Sequence, residues 1–79
     1  KPVLVNIDAP DVWRIGFITQ PNAHEFSLPT HVTVYVPHSY AISGITYIVP
    51  RERIKLLSNI SAADAMKYTV SGGVTEVHE

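Results

Sequence analysis

Five short runs of β-branched and aromatic residues, each stopped by a proline or another turn former, constrain this chain more than any other feature. The first is Val3 to Ile7, with Val3, Val5 and Ile7 on one face. Asp8-Ala9-Pro10-Asp11 is turn chemistry, because proline fixes φ and aspartate side chains bond local backbone. Val12 to Thr19 follows closely enough to complete a hairpin. Trp13, Ile15 and Phe17 share one of its faces, and Val12, Arg14, Gly16 and Ile18 the other. Gly16 has no side chain, so a neighbouring element is expected to approach closely there. Residues 20–30, with two prolines, read as a surface loop. His31 to Val36 alternates again and Pro37 ends it, since proline cannot donate to a strand ladder. After a loop leading to Gly44, Ile45 to Val49 forms a fourth strand, apolar on both faces and closed by Pro50. Beyond the charged turn Arg51-Glu52-Arg53, Ile54 to Leu57 is a short fifth strand, and Val74 to Val77 is expected to add a brief sixth.

Between the last two lies a helix, expected over Ser61 to Ser71. Ser61 is its N-cap and Asp64 makes a capping box of the S-x-x-D kind, with Ile60 stapled to Ala65. Ala62, Ala65, Met66, Thr69 and Val70 follow the stripe of an amphipathic helix, expected to be buried against the sheet. Gly72 is placed to end the helix in a left-handed conformation. A helix this short needs the sheet in order to exist. The fold class is therefore α+β: an antiparallel or mixed sheet of five to six short strands with one C-terminal helix packed on it.

At 79 residues the chain holds one domain, spanning 1–79. With no cysteine it has neither a disulfide framework nor a thiolate nucleophile. A net charge of −1 argues against nucleic-acid partners, which call for a basic surface. Charged residues make up only 16%, below the ~25% of ordinary domains, and a low-charge surface favours association. No apolar run approaches the ~18–20 residues that span a bilayer, so the chain itself reads as a soluble domain. It opens on Lys1-Pro2-Val3-Leu4-Val5, directly in a strand-like run, as expected of a piece of a longer protein.

Chemistry-bearing residues are present without a constellation. His24, His31, His38 and His78 lack the spacing that sets two imidazoles on one helix face, and no metal or cofactor is expected. Ser39, Ser43 and Ser71 sit in no nucleophile elbow, although His38 adjoins Ser39. Asp8, Asp11, Glu25, Glu52, Asp64, Glu76 and Glu79 fall in turns, caps or tail, with no close pair for acid–base work. Ser71-Gly72-Gly73 follows a helix instead of preceding one, so it reads as a C-cap and not a phosphate cradle. Asn59-Ile60-Ser61 matches a glycosylation sequon, yet Ser61 is explained by capping. Trp13, Phe17, Tyr35 and Tyr47 lie on strands without a basic groove, which favours core or partner contact over base stacking.

Three stretches in series carry a resemblance. They are Trp13-Arg14-Ile15-Gly16-Phe17-Ile18-Thr19, then Val34-Tyr35-Val36-Pro37 with Ser43-Gly44 and Ile48-Val49-Pro50-Arg51-Glu52, then Ser61-Ala62-Ala63-Asp64-Ala65 with Val70-Ser71-Gly72-Gly73-Val74. Their order and spacing, from Val3 to Val74, resemble the soluble region of the "domain of unknown function 502" family. That family comprises small prokaryotic membrane proteins and the plant Continuous Vascular Ring and Like-COV proteins. Many bacterial members carry a Thr/Pro-rich loop where this chain has His38-Ser39-Tyr40-Ala41-Ile42. The resemblance implies two transmembrane helices upstream of residue 1, a membrane protein with this domain on the cytoplasmic side, and no catalytic residues.

The expected function is thus a non-enzymatic, membrane-tethered interaction or assembly domain. Its partner is another copy or another membrane protein, with no nucleic acid and no small-molecule substrate. Arg51, Glu52, Arg53 and Tyr47, with one sheet face, are the candidate contact residues. Two alternatives stand. An OB-like ligand- or nucleic-acid-binding module would show a basic concave strand face. An unrecognised hydrolase would gather His38 with a carboxylate in a pocket.

Overall fold

A computed structural model describes residues 1–39 and 43–74. Five strands follow the punctuation of the sequence: β1 (Pro2–Val5), β2 (Arg14–Gln20), β3 (His31–Pro37), β4 (Gly44–Pro50) and β5 (Ile54–Leu56). Among the described residues one helix, α1 (Ala62–Val70), comes last, and 3₁₀ turns occupy His24–Phe26 and Arg51–Arg53. The strands form one sheet in the order β4-β3-β2-β1-β5, and every pairing is antiparallel. The architecture is the α+β class expected, with the helix packed on the sheet.

Several boundaries shift for local reasons. β1 stops at Val5 because Asn6 turns inward, donating its backbone N–H to Arg53 O at 2.8 Å and its side-chain amide to Pro10 O. β2 begins at Arg14 and not at Val12, so Val12 and Trp13 project from the connection and stay exposed. Val74 lies outside any strand, and the rest of the expected sixth strand, with Glu76, His78 and Glu79, lies outside the described residues, as do Tyr40, Ala41 and Ile42.

The sheet cannot be flat. β4 and β5 are its opposite edges, yet only Arg51–Arg53 joins them. Four strand spacings would separate flat edges by ~19 Å, whereas three linking residues reach at most ~14 Å. The sheet therefore curls into a partly open barrel, helped by a register shift between Ile18 and Gln20 that bends β2 near the rim. Valines fill the concave side: Val3, Val5, Val32, Val34, Val36 and Val49 make the core, with Ile7, Ile18, Tyr47 and Ile54 packed around them. Gly16 makes this possible, because the Val34 side chain occupies the space its own would need.

The helix sits on the opposite, convex side. Leu4 and Ile15, which alternate with the core residues, enclose an apolar gap of about 190 Å³ with Leu57, Ile60, Ala65 and Tyr68. Capping follows the sequence closely. Asp64 N–H donates to Ser61 Oγ at 3.1 Å, and Ile60 and Ala65 meet at the same gap. At the other end Gly72 has φ 68°, its N–H bonded to Thr69 O, while Gly73 N–H bonds Tyr68 O at 2.8 Å; together these are a Schellman motif. The expected stripe is corrected. Ala65 is the buried residue of α1, whereas Met66 and Val70 are 36% and 40% exposed. The helix is rotated so that Ala65 and Thr69 turn inward and the exposed Tyr68 borders the gap, because the chain reaches it through Leu57 and Ile60 on the convex side.

No helix among the described residues is long and apolar enough to cross a membrane. α1 has nine residues, against the ~20 that a bilayer requires. The transmembrane and membrane-protein assignment that the resemblance implied is corrected to that extent: none of the described residues forms a membrane-crossing helix.

Candidate functional site

The rim of the barrel where β1 and β2 are joined carries most of the chemistry. Asn6, held by its two backbone partners, fixes a connection in which Pro10 and Asp11 turn the chain back toward Trp13 and Arg14. Val12 N–H closes the turn on Ala9 O at 3.2 Å. Arg14 then reaches across it. Its Nε and Nη2 donate to Asp8 Oδ2 at 3.0 and 2.5 Å. The hydrogen bond first, and the carboxylate's charge second, raise the Arg14 pKa above the ordinary guanidinium range.

Trp13 stands between two clefts. One, of about 340 Å³, runs from Trp13 and Arg14 past Pro37 and His38 to Tyr68 and the glycines that close α1. The other, of about 670 Å³, is bounded by Asn6, Asp8, Pro10, Glu52 and Arg53. Trp13 borders both, is 40% exposed, and lies under the Lys55 ammonium at 5.3 Å from its ring centroid. A partly exposed tryptophan flanked by cations costs apolar hydration when free and regains it on contact.

The four residues singled out in the sequence separate. Glu52 and Arg53 line the second cleft, and Arg53 also accepts the Asn6 amide on its carbonyl. Arg51 points the other way and clamps the 20–30 loop. Its guanidinium donates to Pro21 O at 2.8 Å and Pro29 O at 3.2 Å, and its backbone N–H faces Thr30 O at 3.4 Å. Tyr47 packs beside the valine core on the concave side. So the structure brings Glu52 and Arg53 together with Trp13 and leaves Arg51 and Tyr47 elsewhere. Trp13 and Tyr68 had a signal in the sequence only as aromatics; that one precedes its strand and the other falls off the apolar stripe became visible with the fold.

Among the described residues the features that would mark the alternatives are not brought together. The concave strand face is filled with valines and not with basic residues. His38 lines the first cleft with Arg14, Ser39, Tyr68 and Thr69, and no carboxylate shares that lining. Among the described residues no group of three or more His, Cys, Asp or Glu could hold a metal ion.

Fold and rim together define a small α+β domain: a curled antiparallel sheet, one convex-side helix, and an aromatic and arginine surface at one end. The family described as "Protein of unknown function (DUF502)" matches residues 1–44, more than half of the chain, and the chain belongs to that family. The matched segment carries β1 to β3, Trp13 and the Asp8–Arg14 pair; the 3₁₀ turn Arg51–Arg53 and α1 lie beyond it. No curated protein and no solved structure matches the chain.

Proposed function

We propose that this is a non-enzymatic interaction domain that binds a protein partner through the rim around Trp13. The supporting observation is the placement of Trp13 itself, half-exposed on the ridge between two clefts and ringed by Arg14, Lys55, Arg53 and Tyr68. Tryptophan, tyrosine and arginine are the residues in which binding energy concentrates at interfaces. The Asp8–Arg14 pair holds one side of the ridge in place before a partner arrives, which lowers the entropy lost on binding. Glu52 and Arg53 contribute a polar edge to the same surface. The narrower kinship with the plant Continuous Vascular Ring proteins rests on the three sequence stretches alone, and within this reading it points to assembly in preference to chemistry.

Replacing Trp13 by a photo-cross-linking phenylalanine derivative in the protein expressed in its own cells tests the reading. A discrete adduct with one protein, lost when Arg53→Glu is added and absent when the cross-linker sits at the exposed Ser58, is the expected result. Equal labelling from positions 13 and 58, or no adduct from position 13, contradicts it.

A further inference from the structure

The curl that brings β4 and β5 together leaves the sheet with two edges of unequal kind. Which backbone groups each edge presents follows from the ladder. In an antiparallel pair, opposed residues alternate between exchanging both hydrogen bonds and exchanging none. Beside β4, His38 N–H bonds Ser43 O at 2.9 Å and Arg51 N–H faces Thr30 O at 3.4 Å. Those two pairs are bonded, and the register between them is unbroken, with Val36 opposite Ile45, Val34 opposite Tyr47 and Val32 opposite Val49. Ile45, Tyr47 and Val49 therefore bond to β3. Gly44, Thr46 and Ile48 turn their N–H and C=O groups outward. The prolines agree: Pro37 opposes Gly44 and Pro50 opposes His31, both at positions where the β3–β4 ladder requires no N–H.

The β5 edge is blunted. Leu57 N–H bonds Pro2 O and Asn6 N–H bonds Arg53 O, so by the same parity only Ile54 and Leu56 face outward in a three-residue strand that carries Lys55. Among the described residues β4 has none of these protections. It runs seven residues, Gly-Ile-Thr-Tyr-Ile-Val-Pro, without a charge and without a bulge in its ladder, and natural edges are usually shortened, charged or bent.

We infer that β4 is a self-pairing edge, at which a second copy of this chain adds its own β4 antiparallel to the first and continues the sheet. The inference takes the domain to be an interaction unit, as proposed above, but uses a different surface. Its occupant is set by self-complementarity. A two-fold axis at Thr46 puts Gly44 opposite Ile48 of the second copy, Ile48 opposite Gly44, and Thr46 opposite Thr46. Every outward N–H in the strand then meets an outward carbonyl. Pro50, which has no N–H to give, falls just past the paired segment. A two-fold contact of this sort is closed and stops at a dimer. The net charge of −1 sets little repulsion against it, and Ile45, 42% exposed, gains cover from the neighbouring strand.

Sedimentation equilibrium of the 79-residue chain over a concentration series tests this, with the pair of charge variants Thr46→Lys and Thr46→Glu. Thr46 is exposed, so both variants should keep the parent melting curve while like charges meet across the axis. The expected result is a concentration-dependent dimer, loss of the dimer in each variant alone, and its recovery when the two are mixed. Thr46→Pro, which removes only an outward N–H, should abolish the dimer as well. A parent chain that is monomeric at every concentration overturns the inference, and so does a dimer that both charge variants leave intact. The two proposals fail separately: the Trp13 cross-link does not depend on position 46, and the dimer does not depend on Arg53.

Discussion

The Cγ1 methyl of Val34 lies 2.6 Å from the point where a Cβ on Gly16 would stand, with Tyr35 O at 3.2 Å and Val36 Cγ2 at 3.3 Å around the same point. Val34, fully buried, thus closes the concave side over a glycine on the neighbouring strand, and the curl of the sheet depends on that pairing of a large residue with none. Gly16→Ala should cost about 1–3 kcal/mol, as overpacking does. Val34→Ala should cost a similar amount through the cavity it leaves. The double variant should be less destabilised than the two combined, by about 0.5–3 kcal/mol, because the new methyl enters the space the valine gave up. Urea unfolding of the four proteins measures this, and strict additivity would contradict the contact.

The rotation of α1 separates two neighbouring positions. Ala65 is 2% exposed and Met66 36% exposed. Ala65→Asp should unfold the chain, since an unpaired buried charge costs several kcal/mol against a total of only ~3–5 for a domain this small. Met66→Asp should leave the thermal midpoint close to that of the parent. Loss of folding in both variants would restore the stripe expected from the sequence, which includes both residues.

Helix closure at Gly72 gives a third expectation. At φ 68° a β-branched side chain is strained, so Gly72→Val should cost about 1 kcal/mol or more and Gly72→Asn distinctly less. Gly73, at φ 89° with Tyr68 Oη 3.2 Å from where its Cβ would be, should be equally intolerant. Denaturant midpoints of the three variants check the order.

Arg51 and Arg53 are two residues apart in one 3₁₀ turn and should behave differently. Arg51→Ala removes the clamp on Pro21 O and Pro29 O. It should lower stability by about 1 kcal/mol, the net worth of an ordinary hydrogen bond, because the site is exposed. It should also speed amide exchange at Phe26, Ser27 and Leu28, whose N–H groups close the loop on Ala23 and His24. Arg53→Glu should leave both quantities unchanged while abolishing the Trp13 cross-link. Equal loss of stability in the two variants would mean that the turn acts as a single structural unit.

Most of the fold was legible because its signals are local. Alternation placed the strands, proline ended β3 and β4, and Ser61 and Gly72 bounded the helix, each by a mechanism that acts within four or five residues. The helix stripe was misread because a nine-residue helix with a single buried residue is oriented by its connection through Leu57 and Ile60 and hardly at all by its own periodicity. The candidate site was legible in part. Glu52 and Arg53 stood out as a charged turn, but the direction in which Arg51 points depends on carbonyls 22 and 30 residues away. Trp13 could not be separated from a core aromatic until the start of β2 was known. The curl of the sheet, which sets both the valine interior and the open edge, follows from a strand order that no stretch of sequence states.

Residue-resolved amide exchange along β4 tests the central claim most directly, that the curled sheet leaves one edge free for assembly. At high dilution Ile45, Tyr47 and Val49 should exchange slowly and Gly44, Thr46 and Ile48 fast. At high concentration the second set should become protected while the first is unchanged. Uniform protection along the strand, or outward amides whose exchange ignores concentration, would contradict it.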